Sequence, residues 1–244
     1  PVYPPGRQVE ILEIGRPACW LQLEAAGPLS RELTAYLGTA LPAERRLVLP
    51  SWSSTDASFP LAAPDVAVGP QDLAYLAFTS GSTGMPKGIL GLHGSLSHFL
   101  PWMAERYDFG PGDRFSLLSA LSHDPLQRDI FTPLCLGGTI CIPDSRELMA
   151  AGYLATWMQR EAVTVANLTP AMAQVLTESA AEGALPSLRL VFLVGDILTR
   201  WIVTRLRRLA PGVTCVNHYG STETQRSVGY SAPAYRPGPS HRTP

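Results

Sequence analysis

The chain has 244 residues, is 45% hydrophobic and 16% charged, and carries a formal net charge of −1. That is ample for a large core, and the near-neutral balance gives no electrostatic reason to expect nucleic acid or an anionic membrane as partner. No apolar run approaches the roughly 18 residues that a membrane-spanning helix needs, and the first residues carry no basic-then-apolar leader.

Taken in chain order, helix and strand patterns alternate. Residues 7–14 set Val9, Ile11, Leu12 and Ile14 at mostly helical spacing, and 19–23 alternate as a strand does. A helix is predicted over 29–37 and a short strand over 46–49. Residues 51–70, rich in Ser, Pro and Ala without a period, read as a connecting loop. Strands follow at 73–78 and 89–92, then a helix over 95–107 with Leu96, Phe99, Leu100 and Met103 on one face. A strand is predicted over 115–118, a helix over 128–136 and a strand over 139–142. The alternation continues with a helix over 149–160, a strand over 163–168 and a helix over 170–179 opened by proline. A strand over 188–194, a basic-faced helix over 200–209 and a strand over 213–216 complete it. Residues 231–244 form a Pro-rich tail expected to be poorly ordered. This order predicts an α/β fold with right-handed crossovers and a largely parallel sheet.

Cys19, Cys135, Cys141 and Cys215 are scattered, with no C-x-x-C and no nearby histidine pair. They read as small buried apolar residues in a reducing compartment rather than as a zinc site or disulfide framework, which makes the cytoplasm the expected location.

The most informative stretch follows the 73–78 strand. Thr79, Ser80, Gly81, Ser82, Thr83 and Gly84 are all hydroxyl residues or glycines, and Met85, Pro86 and Lys87 follow. Successive glycines let backbone N–H groups turn toward one centre. The hydroxyls add donors, and Lys87 supplies a point charge on a flexible stem, as a bound polyphosphate requires. A Walker loop is excluded by spacing: counting from Gly81, its second glycine would be Pro86 and its magnesium-binding hydroxyl would be Gly88.

A second signal follows the 213–216 strand, in the segment N-H-Y-G-S-T-E at 217–223. In parallel α/β sheets ligands gather at the carboxyl ends of strands. Tyr219 offers a ring for stacking on a base and Asn217 an amide for an exocyclic amine. Thr222 offers a hydroxyl for phosphate and Glu223 a carboxylate for Mg²⁺. An ordinary polar turn is the competing reading of this segment taken alone.

The loop T-S-G-S-T-G-M-P-K-G resembles the signature loop of the adenylate-forming superfamily, and 217–223 resembles its N-x-Y-G-x-T-E segment. Ser221 stands where many peptide-synthetase domains have proline. S-H-D-P-L-Q-R-D-I-F-T-P-L, N-L-T-P-A-M, V-G-D-I-L-T and Y-G-S-T-E-T-Q-R-S-V are similar to the adenylation domain of α-aminoadipate reductases and their peptide-synthetase relatives. The resemblance implies a partial adenylation domain over residues 1–230, beginning and ending within the family's large domain. It implies ATP and Mg²⁺ as cofactors, an amino acid or other carboxylate as substrate, and a carrier-protein domain bearing phosphopantetheine as partner.

Residue by residue, the resemblance sets Thr79 to Gly84 and Lys87 on the phosphates, Thr222 on the α-phosphate and Glu223 on the metal. It places Gly195 and Asp196 beside the nucleotide with Asn217 and Tyr219, and His123 at the gate between substrate and ATP. Asp124 would face the substrate's ammonium, in a pocket lined also by Pro125, Arg128, Asn167, Phe192, Val194, His218, Arg226 and Ser227. A helix N-cap is the structural alternative for Asp124. Two arginines in such a pocket point to a dicarboxylic amino acid such as α-aminoadipate, although one of them could pair with Asp129 or Asp196. An acyl- or aryl-CoA ligase and a catalytically silent scaffold segment are the rival functions.

Overall fold

The computed structural model describes residues 3–50, 62, 64–80, 86–119, 124–148, 150–178, 180–224 and 229–233. The chain divides into two compact units, Pro1–Gly69 with Phe78–Leu90, and Pro70–Ala77 with Gly91–Pro244. Most of the predicted 51–70 loop, together with Gly81, Ser82, Thr83, Gly84, His123, Arg226 and Ser227, lies outside the described residues.

The first unit contains α1 (Pro5–Gly15), β1 (Trp20–Leu23), α2 (Arg31–Ala40) and β2 (Arg46–Leu49). Proline suits the first turn of α1, where an N–H would have no intrahelical acceptor. Ser30 caps α2, its Oγ accepting from the Leu33 N–H at 3.2 Å. Leu33, Leu37 and Leu41 form a small core against Val9, Leu12 and Trp20. β1 and β2 pair in parallel, from Trp20 opposite Arg46 to Leu23 opposite Leu49. β3 (Leu73–Ser80) and β4 (Pro86–Leu92) form a two-stranded sheet whose residues are divided between the two units. β4 is longer than the predicted 89–92 strand, because proline is tolerated as the first residue of a strand.

The second unit is built on a six-stranded sheet of order β10-β9-β8-β7-β5-β6. Its strands are β5 (Arg114–Ser116), β6 (Thr139–Cys141), β7 (Val165–Leu168), β8 (Leu190–Leu193), β9 (Thr214–Gly220) and β10 (Gly229–Pro233). All pairings are parallel except β9 with β10. The helices are α3 (His93–Tyr107), α4 (Pro125–Leu136), α5 (Tyr153–Arg160), α6 (Pro170–Glu178) and α7 (Arg200–Leu209).

Two apolar layers sandwich this sheet. Phe99, Leu100 and Met103 of α3 pack on Phe115, Val165, Leu190, Phe192 and Val216. On the other face, side chains of α5, α6 and α7, among them Trp157, Met158, Leu176, Ile202 and Leu206, pack on Ala166, Leu168, Val191, Leu193 and Cys215. The chain steps outward from β5 to β6 and then returns across β5 to β7. The strand order therefore reverses between β5 and β7, and an open α/β sheet offers its ligand crevice outside the carboxyl ends at such a point.

At the opposite ends of these strands a polar clasp fixes the register. Arg189, just before β8, donates from Nε to Asp113 Oδ1 at 2.9 Å and from Nη2 to Oδ2 at 2.7 Å. Asp113, just before β5, also accepts from Thr164 Oγ1 at 2.7 Å and from the Gly110 N–H at 3.0 Å. Burial alone would push the Asp113 carboxyl up, but the bonds from Arg189, Thr164 and Gly110 outweigh it and hold the group below its ordinary range.

Several expectations are corrected. Residues 217–220 belong to β9 instead of following it, because β10 supplies a partner strand, with Asn217 opposite Ala232 and Tyr219 opposite Tyr230. The same pairing continues through Ser231–Pro233, the last described residues. α4 begins at Pro125 and not at 128, and α5 at Tyr153 after Gly152, whose φ of 75° ends any helix from upstream. Of the four cysteines expected in the interior, Cys141 and Cys215 are buried while Cys19 and Cys135 are exposed. No helix among the described residues is long and apolar enough to cross a membrane.

Candidate functional site

The expected site residues distribute over both units. Thr79 and Ser80 end β3 and Lys87 is the second residue of β4, exposed. These residues flank the glycine-rich loop and belong to the first unit. The other expected site residues that the structure describes belong to the second unit, most of them at or just beyond the carboxyl ends of its strands.

Asp124 ends the connection that leaves β5. It occupies the cap position of α4, yet its own backbone is helical (φ −59°, ψ −28°) and its side chain makes no cap bond. Its Oδ1 instead accepts a hydrogen bond of 3.0 Å from Thr222 Oγ1, in the 3-10 turn Thr222–Thr224 that follows β9. The capping alternative is thereby replaced by a contact between residues 98 apart in sequence. Pro125 takes the first position of α4, where a missing N–H is harmless.

Strand register brings the expected pocket residues to one face. Asn167 lies opposite Phe192, and Phe192 opposite Val216, so these three side chains emerge on the α3 side of the sheet. Strand alternation adds Val194 and His218 to the same side. Phe192 is fully buried and meets the rings of Tyr107 and His218 edge-on, at 4.8 and 6.3 Å. His218 also meets Phe99 at 6.1 Å. Arg128 of α4 is 5% exposed, with its guanidinium carbon 5.9 Å from the Phe192 ring centre. Its Nε and Nη2 both donate to Asp129 Oδ1 at 3.3 Å. Arg128 is thus one of the two expected arginines and is the one that pairs with Asp129.

The nucleotide-side residues are more open. Gly195 turns the chain out of β8 with φ 95°, which a side chain would strain. Asp196 is exposed and accepts the Ile197 N–H at 2.7 Å, so its carboxylate shapes its own turn. Asn217 is half-buried in β9, Tyr219 is 72% exposed with its ring available for stacking, and Glu223 is exposed. Among the described residues there is no group of three or more His, Cys, Asp or Glu able to hold a metal. A lone accessible carboxylate such as Glu223 fits Mg²⁺, which takes its other ligands from phosphate and water.

Residues 5–243 match the model of the AMP-binding enzyme family. The chain belongs to this AMP-binding family. It is 42% identical over 261 residues to the L-2-aminoadipate reductase large subunit of Eremothecium gossypii, covering 99% of this chain and 19% of that subunit. It is also 42% identical to the L-2-aminoadipate reductase of Schizosaccharomyces pombe, over 94% of this chain and 17% of the relative. Among solved structures, the nonribosomal peptide synthetase FmoA3 (S1046A) superposes with a TM-score of 0.79 at 29% identity, over 97% of this chain and 24% of that one. The AMP-binding chain thus spans about a fifth of the length of the reductases it matches.

Sequence reasoning missed the Asp124–Thr222 contact and the Asp113 clasp. Charged residues at the starts of two predicted strands, Asp113 shortly before 115–118 and Arg189 second in 188–194, were the available signal for the clasp.

Proposed function

We propose that the chain is the nucleotide- and substrate-binding part of an enzyme that joins a carboxylate to AMP. Carboxylate and Mg·ATP give acyl adenylate and pyrophosphate, through in-line attack of a carboxylate oxygen on the α-phosphorus. The protein's share is positioning and charge neutralisation, with no covalent bond to a side chain. The observation that carries this reading is the 3.0 Å bond between Asp124 and Thr222 at the carboxyl ends of the sheet. An acceptor suited to an α-ammonium and a hydroxyl suited to the α-phosphate meet there, where the two reactants must also meet.

In this reading Lys87 and the glycine-rich loop hold the outer phosphates, Glu223 binds Mg²⁺ and Tyr219 stacks on the base with Asn217 nearby. His123 gates the passage between the two substrates. Asn167, Phe192, Val194 and His218 form the walls of the amino acid pocket, with Pro125, Arg226 and Ser227, and Arg128 meets an acidic side chain. Relatives named L-2-aminoadipate reductase support α-aminoadipate or a similar dicarboxylic amino acid as the substrate. The likeness to a peptide synthetase supports transfer of the acyl group to the phosphopantetheine of a carrier domain.

Substrate-dependent ATP–pyrophosphate exchange by the full-length parent tests the proposal. Exchange with α-aminoadipate and glutamate, weak exchange with leucine or benzoate and no requirement for coenzyme A are the expected results. A requirement for coenzyme A would favour a CoA ligase, and no exchange with any acid would favour a silent scaffold.

A further inference from the structure

Asp129 is completely buried on α4, and the proposed reading of the site gives it no role of its own. A buried carboxylate is expensive to desolvate unless a partner compensates it, and the partner here is its neighbour Arg128. Successive helix residues do not ordinarily face one another. The Arg128 side chain nevertheless folds back so that Nε and Nη2 both reach Asp129 Oδ1 at 3.3 Å. Asp129 Oδ2 and Asn167 Oδ1, both buried, have no hydrogen-bond partner among the described residues.

A guanidinium carries five N–H donors: one on Nε and two on each terminal nitrogen. Asp129 engages one from Nε and one from Nη2. Three are left, two on Nη1 and one on Nη2, and one from each of these nitrogens forms the outer edge that matches a carboxylate bidentately. Phe192, whose ring centre lies 5.9 Å from the guanidinium carbon, limits swinging of the group toward the sheet.

We propose that Asp129 is a positioning residue that sets the acid specificity of this site. It holds the inner edge of Arg128 and thereby presents the outer edge to the side-chain carboxylate of a dicarboxylic amino acid. The inference rests on the proposed reading that Arg128 faces the substrate. Asp129 itself does not touch the substrate; it fixes the direction of the residue that does.

The test compares Asp129→Asn, Arg128→Met and the double variant in the full-length parent, by pyrophosphate exchange with α-aminoadipate and with norleucine, an amino acid without the second acid group. Asp129→Asn should raise KM for α-aminoadipate about tenfold, the loss of one oriented charge-assisted bond. The KM for ATP, and kcat, should change little, and the preference for α-aminoadipate over norleucine should fall by the same factor. In the Arg128→Met background the same substitution should have no further effect on that preference. That comparison also keeps the proposal testable if Asp129→Asn alone fails to fold, because the double variant carries no unpaired buried charge. The proposal is overturned if Asp129→Asn weakens ATP and both amino acids alike, or shifts the preference equally with and without Arg128. If Arg128→Met abolishes the preference while Asp129→Asn leaves it intact, the pocket reading survives and the role of Asp129 does not. If neither substitution alters the preference, the pocket reading fails as well.

Discussion

Thr222→Val tests whether the ammonium and phosphate sites are joined through one hydrogen bond. Valine keeps the shape of threonine and removes the only proton Thr222 Oγ1 can donate to Asp124 Oδ1, 3.0 Å away. A hydrogen bond to a charged acceptor contributes about 1.5–3 kcal/mol. Both residues are half-buried, so the lower end applies. The KM for the amino acid should therefore rise about tenfold, on top of any effect on ATP. The assay is pyrophosphate exchange by the full-length parent with each substrate varied in turn, for wild type, Thr222→Val, Asp124→Asn and the double variant. Residues in direct contact should couple by about 1–2 kcal/mol in that cycle, so the double variant should be much better than the product of the single losses. A Thr222→Val enzyme with unchanged amino acid KM, together with multiplicative single effects, would refute the reasoning.

Lys87→Ala and Glu223→Ala should slow exchange with every accepted acid, because both act through ATP, and wild-type exchange by either would remove its assigned role. The Asp113 carboxyl is held below its ordinary range, so its contribution is complete above the unfolded carboxylate value and is lost as pH falls through the depressed one. Urea unfolding of the parent from about pH 6 to about pH 3 should show an acid-sensitive transition that Asp113→Asn flattens; an unchanged acid limb would contradict this. Gly94→Ala should destabilise the start of α3, because a Cβ there would lie 2.8 Å from the Pro70 carbonyl that the Gly94 N–H also binds. Hydrogen exchange over 93–100 should accelerate in that variant, and protection equal to wild type would contradict the prediction.

The alternation of elements was legible because each buried strand is short and almost wholly apolar. β7 and β8, V-A-N-L and L-V-F-L, are buried at every position. Less legible were the elements whose state depends on distant partners. Asn217 to Gly220 look like a polar turn, and become strand only because β10 lies beside them. Pro125 opens α4 three residues before the predicted start at 128, and its fixed φ suits a first helical position. For the site, the sequence supplied residue types without contacts. It offered Asp124 as a cap or a ligand, and the structure decides against the cap because the side chain turns to Thr222. It offered Arg128 as a pocket cation with Asp129 as a possible partner, and burial of both makes that partner real. The clasp of Asp113 and Arg189 joins residues 76 apart and leaves no periodic trace in either segment.

The central claim is that a carboxylate oxygen attacks the α-phosphorus of ATP in the site this chain carries. Single-turnover reaction of the full-length parent with α-aminoadipate labelled with heavy oxygen in its carboxyl groups, followed by mass analysis of the nucleotide, tests it most directly. Unlabelled pyrophosphate should leave as the acyl adenylate forms, one labelled oxygen should appear in AMP once the acyl group is transferred, and Lys87→Ala should suppress both. Label in inorganic phosphate accompanied by ADP would place the attack on the γ-phosphorus and contradict the account.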